Sequence, residues 1–256
     1  MSRLALVTGA SSGIGREFAV QLAERGWDPV LVARDVARLE ALASELRGRR
    51  GADVEVLPAD LTLPLQLESV ARRLRAAPAV DLLVNNAGMG VIGSFRVADA
   101  ERLKAQLELN MVAPVVLARA VLPGMVERGR GGVINVSSLA AFQPGPWHTS
   151  YAASKAFLNY FTEGLHEELR GTGVRVQALC PGYTRTEFQE RAGAPARRVP
   201  RMLWQQPGPV VRASLKGLDR GSLIVIPGTL NRTMWFASKL APGPLVRRLS
   251  GMFAKA

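Results

Sequence analysis

The stretch LALVTGASSGIGREF, residues 4–18, decides the fold, because a short apolar run passes through a glycine-rich turn directly into a helix-like segment. Glycines let the backbone turn sharply, and the first turn of the following helix offers unpaired N–H groups to an anion. The glycine spacing, three residues and then one, differs from the usual Gly-x-Gly-x-x-Gly fingerprint. A strand, such a turn and a helix in this order predict the first unit of an α/β domain with a phosphate-binding turn.

Working outward, short apolar runs alternate with helix-like stretches, the pattern of a parallel sheet with helices on both faces. The runs predict seven strands, at residues 4–8, 29–33, 54–57, 82–85, 133–137, 174–180 and 223–226. Helical periodicity covers residues 13–25, 36–47, 65–76, 99–127 and 150–170. Right-handed crossovers then give one doubly wound Rossmann domain over residues 1–228.

Composition agrees with one such domain, since the chain has 256 residues of which 48% are hydrophobic. Cys180 is the only cysteine, which excludes an intramolecular disulfide, and its apolar neighbours predict a buried thiol. There is no signal-peptide pattern and no uninterrupted run of about 18 apolar residues. We therefore expect a cytoplasmic protein without a membrane-spanning helix.

The regular alternation ends after the sixth predicted strand. Residues 183–221 mix proline, arginine and isolated apolar side chains without a clean period, which is typical of a lid over a binding site. Residues 229–256 form a basic, aromatic tail that could pack on the domain, on another subunit or on a membrane surface. The choice of substrate and the contacts of the tail depend mostly on these two segments.

Charge is concentrated in the same part of the chain. The formal net charge is +12, and 13 basic against 3 acidic residues lie from Arg185 onward, a balance of +10. Such a surface could bind nucleic acid, anionic lipid or an anionic substrate, or it could be an ordinary solvated surface. Because the arginines are dispersed without a recognisable reading module, we expect no nucleic-acid partner.

A second pattern points to catalysis. Tyr151 and Lys155 stand four residues apart on a predicted helix, so both side chains reach one small volume, and Ser138 lies thirteen positions before the tyrosine. A neighbouring cation stabilises a phenolate and lowers the pKa of the phenol, which suits proton transfer. Taken alone, the pair could be an ordinary helix pair and Ser138 a turn former at a strand end.

The motifs together are similar to those of the short-chain dehydrogenase/reductase family in its compact, single-domain form, over nearly the whole chain. The resemblance rests on the cofactor turn at residues 8–15, on Tyr151-x-x-x-Lys155, and on the segments Asn85-Asn86-Ala87-Gly88, Pro181-Gly182 and Thr186. Several spaced motifs in the family's order make coincidence a poor explanation.

The resemblance implies roles for four residues. Tyr151 would transfer the proton, Ser138 would polarise the substrate carbonyl, and Lys155 would lower the pKa of the tyrosine and bond the nicotinamide ribose. Asn110 would hold a water that links the lysine to solvent. A developing oxyanion does need preorganised donors within hydrogen-bond reach. No metal is expected.

The same resemblance implies a set of cofactor contacts. They are Thr8, Gly9, Ser11, Ser12, Gly13, Ile14, Gly15, Arg16, Arg34, Asp60, Leu61, Asn86, Ala87, Gly88, Asn110, Tyr151, Lys155, Pro181, Gly182, Thr184 and Thr186. Asp60 could instead be an acid that initiates a helix.

The charge of the residue at the end of the second predicted strand indicates which nicotinamide cofactor is used. An acid there holds a ribose 2′-hydroxyl, whereas arginine accommodates a 2′-phosphate. Ala33 is followed by Arg34, and Arg16 stands just after the glycine turn. Asp35 could reverse the preference, but it is interpreted as the N-cap of the next helix. The sequence therefore predicts NADP(H).

We expect an NADP(H)-dependent oxidoreductase that interconverts a carbonyl and a secondary alcohol on a small molecule, such as a hydrophobic ketone or a 3-oxoacyl compound. A lipid reductase at a membrane surface and a non-catalytic NADP-binding interaction protein are the alternatives. The resemblance also implies a homodimer or homotetramer.

Overall fold

Seven parallel strands form one sheet in a computed structural model that describes residues 3–193, 199–240 and 243. The sheet order is β3-β2-β1-β4-β5-β6-β7, so the winding direction reverses between β1 and β4. The strands are β1 (Arg3–Thr8), β2 (Trp27–Ala33), β3 (Glu55–Pro58), β4 (Val80–Asn85), β5 (Gly131–Val136), β6 (Val174–Leu179) and β7 (Ile224–Val225). The predicted doubly wound, seven-stranded α/β fold is confirmed.

Nine α-helices lie in the described part of the chain. They are α1 (Gly13–Glu24), α2 (Val36–Arg50), α3 (Pro64–Arg75), α4 (Ala100–Leu107), α5 (Ala113–Glu127), α6 (Thr149–Glu168), α7 (Phe188–Arg191), α8 (Pro207–Asp219) and α9 (Thr229–Leu240). Asp35 is the N-cap of α2, and its carboxylate accepts a hydrogen bond of 3.1 Å from the backbone N–H of Arg38. The predicted cap is confirmed.

Helices cover both faces of the sheet because side chains of successive strand residues point to opposite sides. Val7 of β1 packs in a core with Phe18 of α1, whereas Leu6 packs in the other core with Leu117 of α5. Each of these side chains is at most 1% exposed, and burying a side chain of this size stabilises the fold by about 2 kcal/mol. The two layers hold the sheet rigidly, with its carboxyl edge free for a site.

The predicted helix at 99–127 is continuous but changes its winding. A π turn, Glu108–Val112, separates α4 from α5 and contains the buried Asn110. Single π turns inside α-helices are frequent at functional sites. The helical period is the same on both sides of such a turn, so a period fitted over the whole run does not locate it.

By length and composition, residues Ala100–Glu127 could cross a membrane. Leu117, Val121 and Met125 are nevertheless buried in the core beneath the sheet, where α5 also packs against α3. The apolar character of this helix is explained by its place in the core.

Helix α8 lies where the sequence showed no helical period. Val210, Val211 and Leu215 are buried in the core that contains α1. Pro207 stands in the first turn, where its missing N–H is tolerated. The lid remains a prediction for residues 183–206, of which 194–198 lie outside the described residues.

Helix α9 places the first half of the predicted tail on the domain. Asn231 is buried and its Nδ2 donates to Gln205 Oε1 and to Pro227 O, both at 3.0 Å. The ring of Trp235 packs edge-on against Phe142 at a centroid distance of 5.7 Å. From residue 241 to the C-terminus, the predicted tail lies outside the described residues except for residue 243.

Candidate active site

The predicted site residues lie at the carboxyl edge of the sheet, where the strand order reverses. In doubly wound folds ligands bind outside this edge at the reversal. Thr8 ends β1, and Gly9 to Arg16 follow it; Arg34 follows β2, and Asp60 and Leu61 follow β3. Asn86, Ala87 and Gly88 follow β4, Ser138 follows β5, and Pro181, Gly182, Thr184 and Thr186 follow β6. The π turn and α6 supply Asn110, Tyr151 and Lys155.

The glycine turn after β1 has a shape that only glycine permits. Gly9 and Gly13 have φ angles of +66° and +55°. A Cβ on Gly13 would lie 2.8 Å from Thr186 Cγ2, and a Cβ on Gly15 would lie 2.2 Å from the carbonyl oxygen of Gly9. These positions leave no room for side chains, so the backbone itself lines the turn.

The start of α1 fits an anionic group beside this turn. Ser12 precedes the helix, and within the described residues its side chain caps none of the helix N–H groups. The first turn of α1 also holds no acid among the residues that the structure describes. Free N–H groups and the positive end of the helix dipole therefore face the turn, as a pyrophosphate requires.

The segment after β4 is locked to the glycine turn. Thr8 Oγ1 accepts hydrogen bonds from the backbone N–H groups of Asn86 and Ala87 at 3.0 and 2.9 Å. In return, Asn86 Nδ2 donates to the carbonyl oxygen of Thr8 at 2.8 Å. Thr8 and Asn86 thus hold the two halves of the sheet together at the point where a cofactor would cross.

Tyr151 and Ser138 are brought together at the reacting end. Burial raises the pKa of Tyr151 to about 12, and hydrogen bonding to Ser138 lowers it only in part. The ring of Phe188 in α7 packs on Tyr151 at a centroid distance of 5.5 Å. Because its pKa lies well above 7, the half-buried phenol is protonated at neutral pH and can act as a proton donor.

Lys155 occupies a buried place behind the tyrosine. Its Nζ donates to the carbonyl oxygen of Val136 at 2.7 Å and lies 5.8 Å from the centroid of the Tyr151 ring. Burial lowers the pKa of Lys155 to about 8, so the ammonium is mostly protonated at neutral pH. The sequence-based expectation of a lowered Tyr151 pKa is not met in this structure, because burial of the phenol outweighs any effect of the cation.

Asn110 fixes the loop after β4. Its Oδ1 accepts from the backbone N–H of Met89 and its Nδ2 donates to the carbonyl oxygen of the same residue, both at 3.0 Å. The Nδ2 also donates to Ser154 Oγ at 3.1 Å. A Cβ on Gly88 would lie 3.2 Å from Asn110 Oδ1 and 3.5 Å from Lys155 Nζ, so the two side chains meet beside this glycine.

Cations and acids are paired at the opposite end of the site. Arg34 Nη1 lies 3.6 Å from Asp60 Oδ2, and Arg16 Nη2 lies 2.5 Å from Glu45 Oε2. Burial works against a low pKa at Asp60, but hydrogen bonds from Thr62 and the charge of Arg34 lower it overall. The Asp60 carboxylate thus holds a turn with Thr62, whereas the N-cap of α3 is Leu63, so Asp60 does not cap the helix as the alternative interpretation required.

The sequence-based reasoning missed several residues of this region. Arg38 Nη1 donates to both oxygens of Glu187, at 2.9 and 2.8 Å, and so joins α2 to the segment before α7. Its position in the first turn of α2, four residues after Arg34, could have drawn attention to it. Gln106 and Ser154, by contrast, carry no signal in a single sequence.

Known proteins share both the sequence and the arrangement. Residues 3–196 match the family model of short chain dehydrogenases. A short-chain dehydrogenase from Sphingobium yanoikuyae, solved with NADPH, is 42% identical, with a TM-score of 0.87 and coverage of 93% of this chain and 92% of that chain. The bulky-bulky ketone specific alcohol dehydrogenase from Comamonas testosteroni is 35% identical, with a TM-score of 0.81 and coverage of 94% and 95%.

A curated relative extends the comparison. The very-long-chain 3-oxoacyl-CoA reductase of Anas platyrhynchos is 35% identical over 193 residues, which are 73% of this chain and 61% of the relative, less than two thirds of its length. Family model, relatives and site geometry agree, and the chain belongs to the short-chain dehydrogenase/reductase family of oxidoreductases.

Proposed function

We propose that this protein is an NADP(H)-dependent oxidoreductase that interconverts a carbonyl and a secondary alcohol. The observation that carries the proposal is that Ser138 lies against the half-buried phenol of Tyr151, with the Lys155 ammonium behind it. Two hydroxyl groups at one point can donate to one substrate oxygen. This is the arrangement that carbonyl reduction needs.

The chain's own residues stabilise the negative charge that develops on the substrate oxygen. Tyr151 would donate its proton to that oxygen, and Ser138 would hydrogen-bond it. A bound nicotinamide cofactor supplies the hydride. Donors that are fixed in a dry pocket lose no reorganisation energy during the reaction, and one such donor commonly contributes about 10²–10³-fold in rate.

The glycine turn, the start of α1 and Lys155 would hold the cofactor. Arg34 supports the phosphorylated form, because its side chain is 73% exposed and its distance to Asp60 Oδ2, 3.6 Å, is that of a loose ion pair. A guanidinium matches the geometry and charge of a 2′-phosphate. The relative from Sphingobium yanoikuyae was solved with NADPH, which agrees with this preference.

For the substrate, we propose a bulky hydrophobic ketone or a 3-oxoacyl compound. Phe188 forms an apolar wall against Tyr151, and Tyr183 packs on Trp204 at a centroid distance of 5.6 Å in the predicted lid. Two relatives carry matching names, a bulky-bulky ketone specific alcohol dehydrogenase and a very-long-chain 3-oxoacyl-CoA reductase.

The test is a screen of NADPH oxidation by the full chain against bulky ketones, aldehydes and 3-oxoacyl thioesters. Tyr151→Phe is the matched variant, since it removes only the hydroxyl. We expect its turnover to fall more than about 100-fold, or ~2.7 kcal/mol of barrier, with NADPH affinity nearly unchanged. Turnover within about tenfold of wild type, ~1.4 kcal/mol, would overturn the role of Tyr151. NADPH binding without turnover on any carbonyl would favour the non-catalytic alternative.

A place at a membrane surface is a second candidate, supported by α9. Met234, Phe236 and Leu240 are exposed on this helix, together with the basic side chains of Arg232 and Lys239. An apolar face flanked by cations is typical of helices that lie on anionic bilayers. Co-sedimentation of the protein with anionic vesicles should fall when Phe236 and Leu240 are both replaced by serine; equal binding of both proteins would reject α9 as the anchor.

We also propose a homodimer or homotetramer formed through the long helices after β4 and β5. Tyr160 is 77% exposed on α6, and Phe157 on the same helix is partly exposed. Exposed aromatic side chains on one helix are enriched at protein interfaces. Light scattering should report an oligomer that weakens in Tyr160→Glu, whereas a monomeric wild type would reject the proposal.

A further inference from the structure

A buried glutamine beside the site has no part in the proposed chemistry. Gln106 of α4 is 0% exposed although its side chain is polar. Its Oε1 accepts a hydrogen bond of 2.6 Å from Ser150 Oγ, and its Nε2 donates to the carbonyl oxygen of Met89 at 3.3 Å. Burying an amide is unfavourable unless it is hydrogen-bonded, and both ends of this one are.

The partners of Gln106 are the immediate neighbours of the reacting groups. Ser150 precedes Tyr151 in the first turn of α6. The carbonyl oxygen of Met89 also accepts from Asn110 Nδ2 at 3.0 Å, and Asn110 stands one helical turn after Gln106. One face of α4 and the π turn therefore contacts both the loop after β4 and the start of α6.

Two side-chain bonds tie the first turn of α6 to this face. Ser150 bonds to Gln106, and Ser154 Oγ accepts from Asn110 while it donates to the carbonyl oxygen of Tyr151 at 2.7 Å. Tyr151 lies between the two ties. The side chain of His148 caps none of the N–H groups of α6 in the described part of the chain, so these ties take over the anchoring that a cap would provide.

We propose that Gln106 is a positioning residue that, through Ser150, fixes the first turn of α6 and thereby the direction of the Tyr151 phenol. This inference rests on the proposed function. Displacing a reacting group by about 1 Å can lower a rate about 10²-fold, whereas the overall fold tolerates such a shift. The loss should therefore appear in kcat rather than in cofactor binding.

The chain offers a matched control away from the site. Ser214 of α8 donates to Gln177 Oε1 at 2.5 Å, and Gln177 Nε2 donates to the carbonyl oxygen of Ser214 at 3.1 Å. Gln177 is also 0% exposed. Ser214→Ala thus removes the same kind of bond as Ser150→Ala, from a buried glutamine whose side chain bonds to Ser214 and Ser222, which are not residues of the proposed site.

The experiment compares Ser150→Ala, Ser150→Thr, Gln106→Leu and Ser214→Ala with wild type, using NADPH and the best carbonyl found. We expect kcat to fall about tenfold or more in Ser150→Ala and Gln106→Leu, with the Kd for NADPH unchanged. Ser150→Thr should restore most of the rate, because it keeps the hydroxyl. Ser214→Ala should keep the wild-type kcat whatever its effect on Tm.

A second measurement does not depend on turnover. Hydrogen exchange of the peptide containing residues 149–155 should become faster in Ser150→Ala and Gln106→Leu but not in Ser214→Ala. Unchanged kcat and unchanged exchange in the two site variants would overturn the positioning role. If wild type reduces no carbonyl, the proposed function fails, and the exchange experiment alone decides whether Gln106 holds the start of α6.

Discussion

Replacing Lys155 with methionine should remove the part of the rise in the free energy of unfolding with pH that comes from this buried lysine. Lys155 is 4% exposed, and burial lowers its pKa from 10.5 to about 8. Because the folded-state pKa is the lower one, the unfolded chain binds more protons between these two values, and the free energy of unfolding rises with pH there. Below this window the full penalty of burying the charge is present, about 3 kcal/mol at 1.36 kcal/mol per pKa unit.

From about pH 7 to about pH 9.5, the free energy of unfolding of wild type should rise by about 2 kcal/mol relative to that of Lys155→Met. For a chain of this size that corresponds to a difference of about 4–8 °C in Tm. Tyr151 does not contribute in this window, since its pKa is raised from 10 to about 12 and its stabilisation is lost only as the pH rises between those values.

The assay is thermal or urea unfolding of both proteins across this pH range. Lys104→Met, which removes an exposed lysine from α4, controls for the loss of one positive charge. If the difference in the free energy of unfolding between wild type and Lys155→Met stays constant with pH, or matches that of the Lys104→Met control, burial does not lower the pKa of Lys155 and the reasoning is refuted.

Three further outcomes follow from the site. Gly15→Ala should lower NADPH affinity more than tenfold, or ~1.4 kcal/mol, in a fluorescence titration, because its Cβ would lie 2.2 Å from the carbonyl oxygen of Gly9; unchanged affinity would contradict the tight turn. Phe188→Ala should hydrate Tyr151, lower its raised pKa and move the alkaline loss of reductase activity to lower pH, whereas an unmoved profile would exclude Phe188 as the shield. Arg34→Glu should reduce the preference for NADPH over NADH about tenfold or more in kcat/KM, and an unchanged ratio would remove Arg34 from phosphate recognition.

The regular part of the fold was predictable because it depends on local patterns. The central predicted strands are short apolar runs that are buried between two helical layers, whereas the edge strands β3 and β7 are only partly buried. The run before Gly9 led directly to the phosphate-binding turn. The four-residue spacing of Tyr151 and Lys155 likewise placed both on one helix face. The N-cap role of Asp35 followed from its position before a helical period.

Elements without a strong local pattern were not predictable. Helix α8 shows only a narrow apolar stripe behind Pro207, and its burial against α1 joins residues far apart in the chain. The π turn at Asn110 changes the winding without changing the periodicity. The first turns of α9 pack on the domain through Asn231 and Trp235, a contact that composition alone left open.

The sequence by itself determined the doubly wound sheet and the glycine turn, and it supplied the side chains proposed to react, because these follow from periodicity and from short motifs. Only the tertiary structure decided their electrostatic state. The pKa of Tyr151 is raised by burial, partly under Phe188, which lies 37 positions further along the chain. Gln106 contacts Ser150 across 44 positions. Burial and long-range hydrogen bonds are sums over contacts distant in sequence, so they exist only once the chain has folded.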